Sequence, residues 1–175
     1  MIDNDADAYR DEVKQNYEFS EWAGQTKEGG REVRLTDFEL APQRFEGWKL
    51  TEKEDLPVSP RQRRIVRYIF NSAGKGQRLV STIYECNSVV DAHETLIDVV
   101  MTYMAPKLPR CSEKGLEIGD ICFAGASERN VSVIFARFNI LSEVQSVGPE
   151  PVSVDAFARR TDELILAAYT NQRAG

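Results

Sequence analysis

The chain has 175 residues, with 22 Lys plus Arg against 28 Asp plus Glu, a formal net charge of −6 and 42% hydrophobic residues. That apolar content suits one packed domain and argues against global disorder. The negative balance repels nucleic acid and anionic membrane surfaces, and no apolar run approaches the roughly 18 to 20 residues of a membrane-spanning helix.

No basic stretch followed by an apolar one opens the chain. MIDNDADAYRDE is open to two readings, a native start or what remains after a signal peptide is removed, so the compartment is left open. Residues 1–30, acidic and then polar, read as a flexible arm ahead of a single domain over 31–175. A short helix over 6–16 has only a thin stripe of Tyr9 and Val13. Tyr17, Phe19 and Trp22 are the large apolar groups that can dock this arm, on the chain's own core in preference to a partner.

From Arg31 the pattern turns strand-like, Val33 and Leu35 alternating with charged residues. Pro42 breaks it, and Trp48 and Leu50 resume the alternation. RQRRIVRYIF and QRLVSTIYEC, joined by NSAGKG, then predict a β-hairpin. GKG is a turn between strands here, since a phosphate-binding P-loop must open a helix. Asp91 with Glu94 predicts a capped helix start. Leu96, Val99, Val100, Tyr103 and Met104 form one helical face, which Pro106 and Pro109 end.

The stretch from Gly119 to Val147 reads as the core of a sheet. Val131, Val133 and Phe135 share one face while Ile134, Ala136 and Phe138 share the other, so this strand is expected in the middle. Asn139 predicts a turn or bulge between strands 131–138 and 140–147, with one continuous bent strand as the rival. The last helix has Ser153 as N-cap, Asp155 in its first turn and an apolar stripe through Val154, Phe157, Thr161, Leu164, Ile165 and Ala168. The expected fold is therefore α+β: an antiparallel sheet with two amphipathic helices packed on one face, leaving the other to solvent, the arm or a partner.

The segments IGDICFAG, VSVIFARFNILSEV and VDAFARRTDELI, in the C-terminal half, carry a resemblance to small bacterial domains of the PsbP/Mog1-like type. The resemblance implies an α/β/α or helix-on-sheet domain, often a secreted, lipid-anchored or sensor-associated binding module without catalysis. It carries over no functional residue.

Three cysteines forbid full internal pairing. A Cys86–Cys111 disulfide would tie a helix to the sheet and stabilise by about 3 kcal/mol; three free thiols are the other reading, with Cys122 an inert member of an apolar strand. His93, the only histidine, lacks a second ligand at zinc spacing, so no metal and no cofactor is expected, and it reads as an exposed polar residue on its helix.

Arg61, Arg63, Arg64 and Arg67 form a basic cluster, with Arg61, Arg63 and Arg67 on a common side by alternation. They suit a carboxylate, a phosphate or an acidic partner segment. Equally, they protect an edge strand or pair with the acidic run EKED. The function expected is a non-catalytic binding or protein-interaction module using the open sheet face or the helix–sheet groove. Arg63, Arg67, Trp48 and Tyr68 are its candidate residues, and a protein or a small ligand is its partner. The alternative is a small enzyme with a carboxylate site at Glu94 and Asp98, one helical turn apart, although such carboxylates also make an ordinary solvated face.

Overall fold

The computed structural model describes residues 3–29, 32–41, 44–103 and 107–174; the roles expected of Arg31, Pro42, Met104 and Pro106 lie outside the described residues. Six strands, β1 (Trp48–Leu56), β2 (Gln62–Ser72), β3 (Arg78–Cys86), β4 (Ile121–Ala124), β5 (Ser132–Arg137) and β6 (Ile140–Ser146), form one antiparallel sheet in the order β1-β2-β3-β6-β5-β4. The helices are α1 (Asp3–Asn16), α2 (Phe19–Trp22), α3 (Val89–Thr102) and α4 (Asp155–Ala174). The α+β class follows, and the predicted hairpin is β2–β3.

The two amphipathic helices do not share a face. Along β5, Val133 and Phe135 join a core with α4 residues Phe157, Leu164 and Ile165, while Ile134 and Ala136 join a second core with α3 residues Leu96, Ile97 and Val100. The reason is legible in β5, which is apolar on both sides: each side removes area from water at about 25 cal/mol per Å², so each needs its own cover. The sheet is thus sandwiched between helices.

The N-terminal segment completes the α3 side. Val13, Tyr17 and Trp22 are buried with Leu96, Ile97 and Phe123, and the Tyr17 hydroxyl accepts the Leu108 amide at 2.9 Å. Residues 24–29 then pass the end of the sheet: the Lys27 amide donates to Asp120 at 2.9 Å, and Glu28 meets Arg137 at 3.1 Å.

The expected strand around Val33 and Leu35 is instead irregular backbone with a 3-10 turn at Leu35–Asp37, on the α4 side. Both residues are buried, as the alternation required, but side chains satisfy their backbone. Asn139 Oδ1 accepts the Val33 amide at 2.7 Å, and Glu85 accepts the Leu35 amide at 3.0 Å. A buried backbone needs hydrogen-bond partners, and here no neighbouring strand has to supply them.

Local signals shift by small steps. The N-cap of α3 is Ser88, whose hydroxyl accepts the Asp91 amide, so Asp91 lies in the first turn and is not the cap. The Ser153 hydroxyl accepts the Asp155 amide at 3.3 Å where α4 begins. A turn does separate β5 from β6, but the left-handed φ of 54° falls on Phe138, not on Asn139. Phe138 stays there because it is fully buried and stacks on Tyr169 with ring centroids 4.3 Å apart.

The disulfide is Cys111–Cys122, which replaces the expected Cys86–Cys111 pair. It ties the 3-10 turn Cys111–Lys114 to β4, whereas Cys86 is a buried free thiol beside Thr95. His93 is also the reverse of its expected exposure: it is fully buried, its Nδ1 accepts the Gly24 amide at 2.9 Å, and Trp22 packs edge-on against its ring.

Candidate functional site

The four residues expected to form a binding surface are divided between the faces and edges of the sheet. Tyr68 is 1% exposed and points into the α4-side core with Phe70, where its ring is structural. Trp48 packs at the rim of that core and lines a hollow of about 220 Å³ with Phe45, Phe157 and Arg160. Arg67 lies on the opposite side and pairs with Glu54 at 2.5 Å.

Arg63 sits at a bulge between Gln62 and Arg64 and reaches Glu32 at 2.6 Å and the Asn87 carbonyl at 3.3 Å. The bulge breaks the alternation expected to align Arg61, Arg63 and Arg67, because it adds a residue to one strand. β2 is also an inner strand, so its arginines guard no edge; Arg64 and Arg67 pair with Asp55 and Glu54 of neighbouring β1.

Glu94 and Asp98 do share the outer face of α3, but both are engaged. Glu94 binds Arg10 and, at 2.8 Å, Lys14. Asp98 binds Arg10 and, at 3.0 Å, Arg61. These cations hold the Glu94 carboxyl below the usual carboxylate range despite the burial that opposes them. Such pairs fasten α1 to α3.

A polar group without such compensation lies on the next strand. In β6 the alternation sends Ile140, Ser142 and Val144 toward α4 and Leu141, Glu143 and Gln145 toward α3. Leu141 is covered by α3, but Glu143 emerges near the C-terminal end of that helix, where Tyr103 is the C-cap. The Tyr103 hydroxyl donates to Glu143 Oε1. Gln145 Nε2 lies 2.6 Å from the same oxygen and 2.8 Å from the Tyr103 hydroxyl. Tyr84 of β3 adjoins the carboxyl as well. Among the described residues, no Lys or Arg pairs with Glu143.

Burial therefore raises the Glu143 carboxyl above its ordinary range, against the hydrogen bonds from Tyr103, Gln145 and Tyr84. The hydroxyls respond in the same sense: burial and the neighbouring carboxylate push Tyr84 and Tyr103 well above the usual phenol value. Glu143 and Tyr84 line a groove of about 340 Å³ between α3 and the sheet, with Ile65, Val99 and Pro57 as apolar walls and Asp98 at its margin. A concave site with apolar walls and a few convergent polar groups is the usual form of a small-molecule site.

A smaller hollow of about 170 Å³ beside the disulfide contains Asp120, but that acid is already committed. It accepts the Lys27 amide at 2.9 Å and the Phe138 amide at 2.8 Å, and it lies 3.5 Å from Arg137, which also forks onto Asp162 at 2.8 Å. Gly119 brings Asp120 there with a φ of 66°, where a Cβ would stand 2.8 Å from the Ala136 carbonyl. This network closes the sheet end and engages both oxygens of Asp120.

Sequence reasoning missed Glu143. Its signal was a polar pair, Glu143 and Gln145, two residues apart on one side of the strand predicted over 140–147. Comparison with known protein families, with curated proteins and with solved structures gives no match to this chain. Among the described residues no helix is long and apolar enough to cross a membrane, and no group of acidic, Cys and His side chains is arranged to hold a metal.

Proposed function

We propose that this chain is a non-catalytic binding domain whose small-molecule ligand occupies the groove between α3 and the sheet. The observation that carries the reading is Glu143, a largely buried carboxyl held by Tyr103, Gln145 and Tyr84, with no Lys or Arg of the described residues paired to it, in the lining of an apolar-walled groove. A carboxylate left in such a place costs stability unless something repays its desolvation, and the protein's own cations lie elsewhere. The volume, about 340 Å³, is at the lower end for a small-ligand pocket and suits a compact ligand. The net charge of −6 disfavours a polyanionic partner.

The enzymatic alternative at Glu94 and Asp98 has less support, because a general acid or base needs a carboxyl free to exchange protons and both are locked in ion pairs. The test is a fragment screen followed by amide NMR on the full chain. Shifts that cluster at Tyr84, Val99 and Thr102 support the groove; hits that gather at Trp48 and Phe45 instead would move the site to the other face.

A further inference from the structure

We infer that the ligand of this groove is a small organic cation, an ammonium group on a compact apolar stem, a reading that rests on the groove being the binding site. Three features of the groove converge on positive charge. Glu143 is an acid with no Lys or Arg of the described residues paired to it; Tyr103 and Gln145 both approach its Oε1 and Tyr84 also bonds the carboxyl, so every hydrogen-bond partner it has is uncharged. The C-terminal end of α3 opens on the same groove through Thr102, and the unpaired carbonyls of a helix end carry partial negative charge that favours a cation. The walls offered by Ile65, Val99 and the Tyr84 ring suit an apolar stem, and the tyrosine ring adds a π face for a cation.

The nearby charges do not supply that cation from within. Arg61 and Arg10 both meet Asp98, on the α3 margin, and Lys14 meets Glu94 on the outer side of the same helix. Asp98 is thereby neutralised, which leaves Glu143 as the acid a ligand can match. An anion would face Glu143 and the carbonyl end of α3, and the cation at the margin, Arg61, is already paired with Asp98. A neutral ligand would offer the carboxylate at most an uncharged hydrogen bond, weaker than the charge-assisted one from an ammonium group.

The test titrates the full-length protein with three compounds matched in size, 2-phenylethylamine, 2-phenylethanol and 3-phenylpropanoate, reading amide shifts at Tyr84, Val99 and Thr102. The amine is expected to bind at least about tenfold tighter than the alcohol, the advantage of a charge-assisted hydrogen bond to a carboxylate, with the propanoate weakest. Glu143→Gln is expected to erase the difference between amine and alcohol. Should that variant fail to fold, the discrimination by the native protein decides alone. Equal or tighter binding of the alcohol or the propanoate in the groove would overturn the cation and leave the groove standing. If none of the three moves the groove amides, both the cation and the groove reading fall.

Discussion

Tyr103, the C-cap of α3, donates its hydroxyl hydrogen to Glu143 in the middle of β6, so the end of a helix and the floor of the sheet meet in one polar contact. The contact holds a carboxyl in surroundings that favour its neutral form. Glu143 has a folded-state pKa above the ordinary 4.5, which fixes the sign of its effect on stability. Its contribution is fully present below the unfolded value and is lost as the pH rises through the folded one. Glu143→Gln, neutral throughout and still able to accept from Tyr103, is expected to be more stable than the native chain at pH 8. That advantage should shrink as the pH falls toward 4.5. Denaturant midpoints measured across this range check it; a variant less stable at pH 8 would show that the ionised carboxylate is favourable where it stands.

His93 works in the other direction. Its burial pushes the imidazole down to about 4 from 6.5, Asp120 opposing only in part, and its Nδ1 accepts from Gly24, so the proton sits on Nε2. A base with a lowered folded-state pKa contributes stability that is fully present above 6.5 and is lost as the pH falls through the folded value. The shift corresponds to roughly 3 kcal/mol between pH 6.5 and 4. In His93→Gln, which does not titrate, the acid limb of the stability curve should be flatter by about that amount. Parallel limbs in the two proteins would mean that other groups govern acid unfolding.

The Cys111–Cys122 bond closes a short loop with a sequence separation of 11, worth about 3 kcal/mol in the chain-entropy account. Peptide mapping of the unreduced protein should return the two cysteines linked, and urea denaturation should show the corresponding loss on reduction. Cys86 behaves differently: it is fully buried, and burial pushes its thiol up to about 12. A thiol reagent should therefore find nothing in the folded protein and one group in urea. Rapid labelling under native conditions would place Cys86 nearer the surface than Thr95 and the helix above it allow.

Much of the fold was legible because it depends on periodicity. The alternation in 65–70 and 79–84 gave the hairpin, the doubly apolar run at 133–136 gave an inner strand, though one next to the edge and not in the middle, and Asn139 marked the turn. The placement of the helices was not legible, since an amphipathic stripe says that a face must be covered and not which side of the sheet covers it. His93 shows the same gap: its neighbours on α3 look solvated until α1 and α2 fold over them and Gly24 supplies a hydrogen bond.

Hydrophobic pattern by itself determined the α+β class, the β2–β3 hairpin and the two amphipathic helices α3 and α4, because burial follows local spacing; it did not show that the segment around Val33 and Leu35 is irregular backbone. The tertiary structure alone decided which groups meet. It paired Cys111 with Cys122, spent Glu94 and Asp98 on Arg10, Lys14 and Arg61, and placed Glu143 in the lining of a groove with no Lys or Arg of the described residues paired to it. Those outcomes depend on contacts between residues far apart in the chain, where the energy of a charge is set by burial and by what stands a few ångströms away.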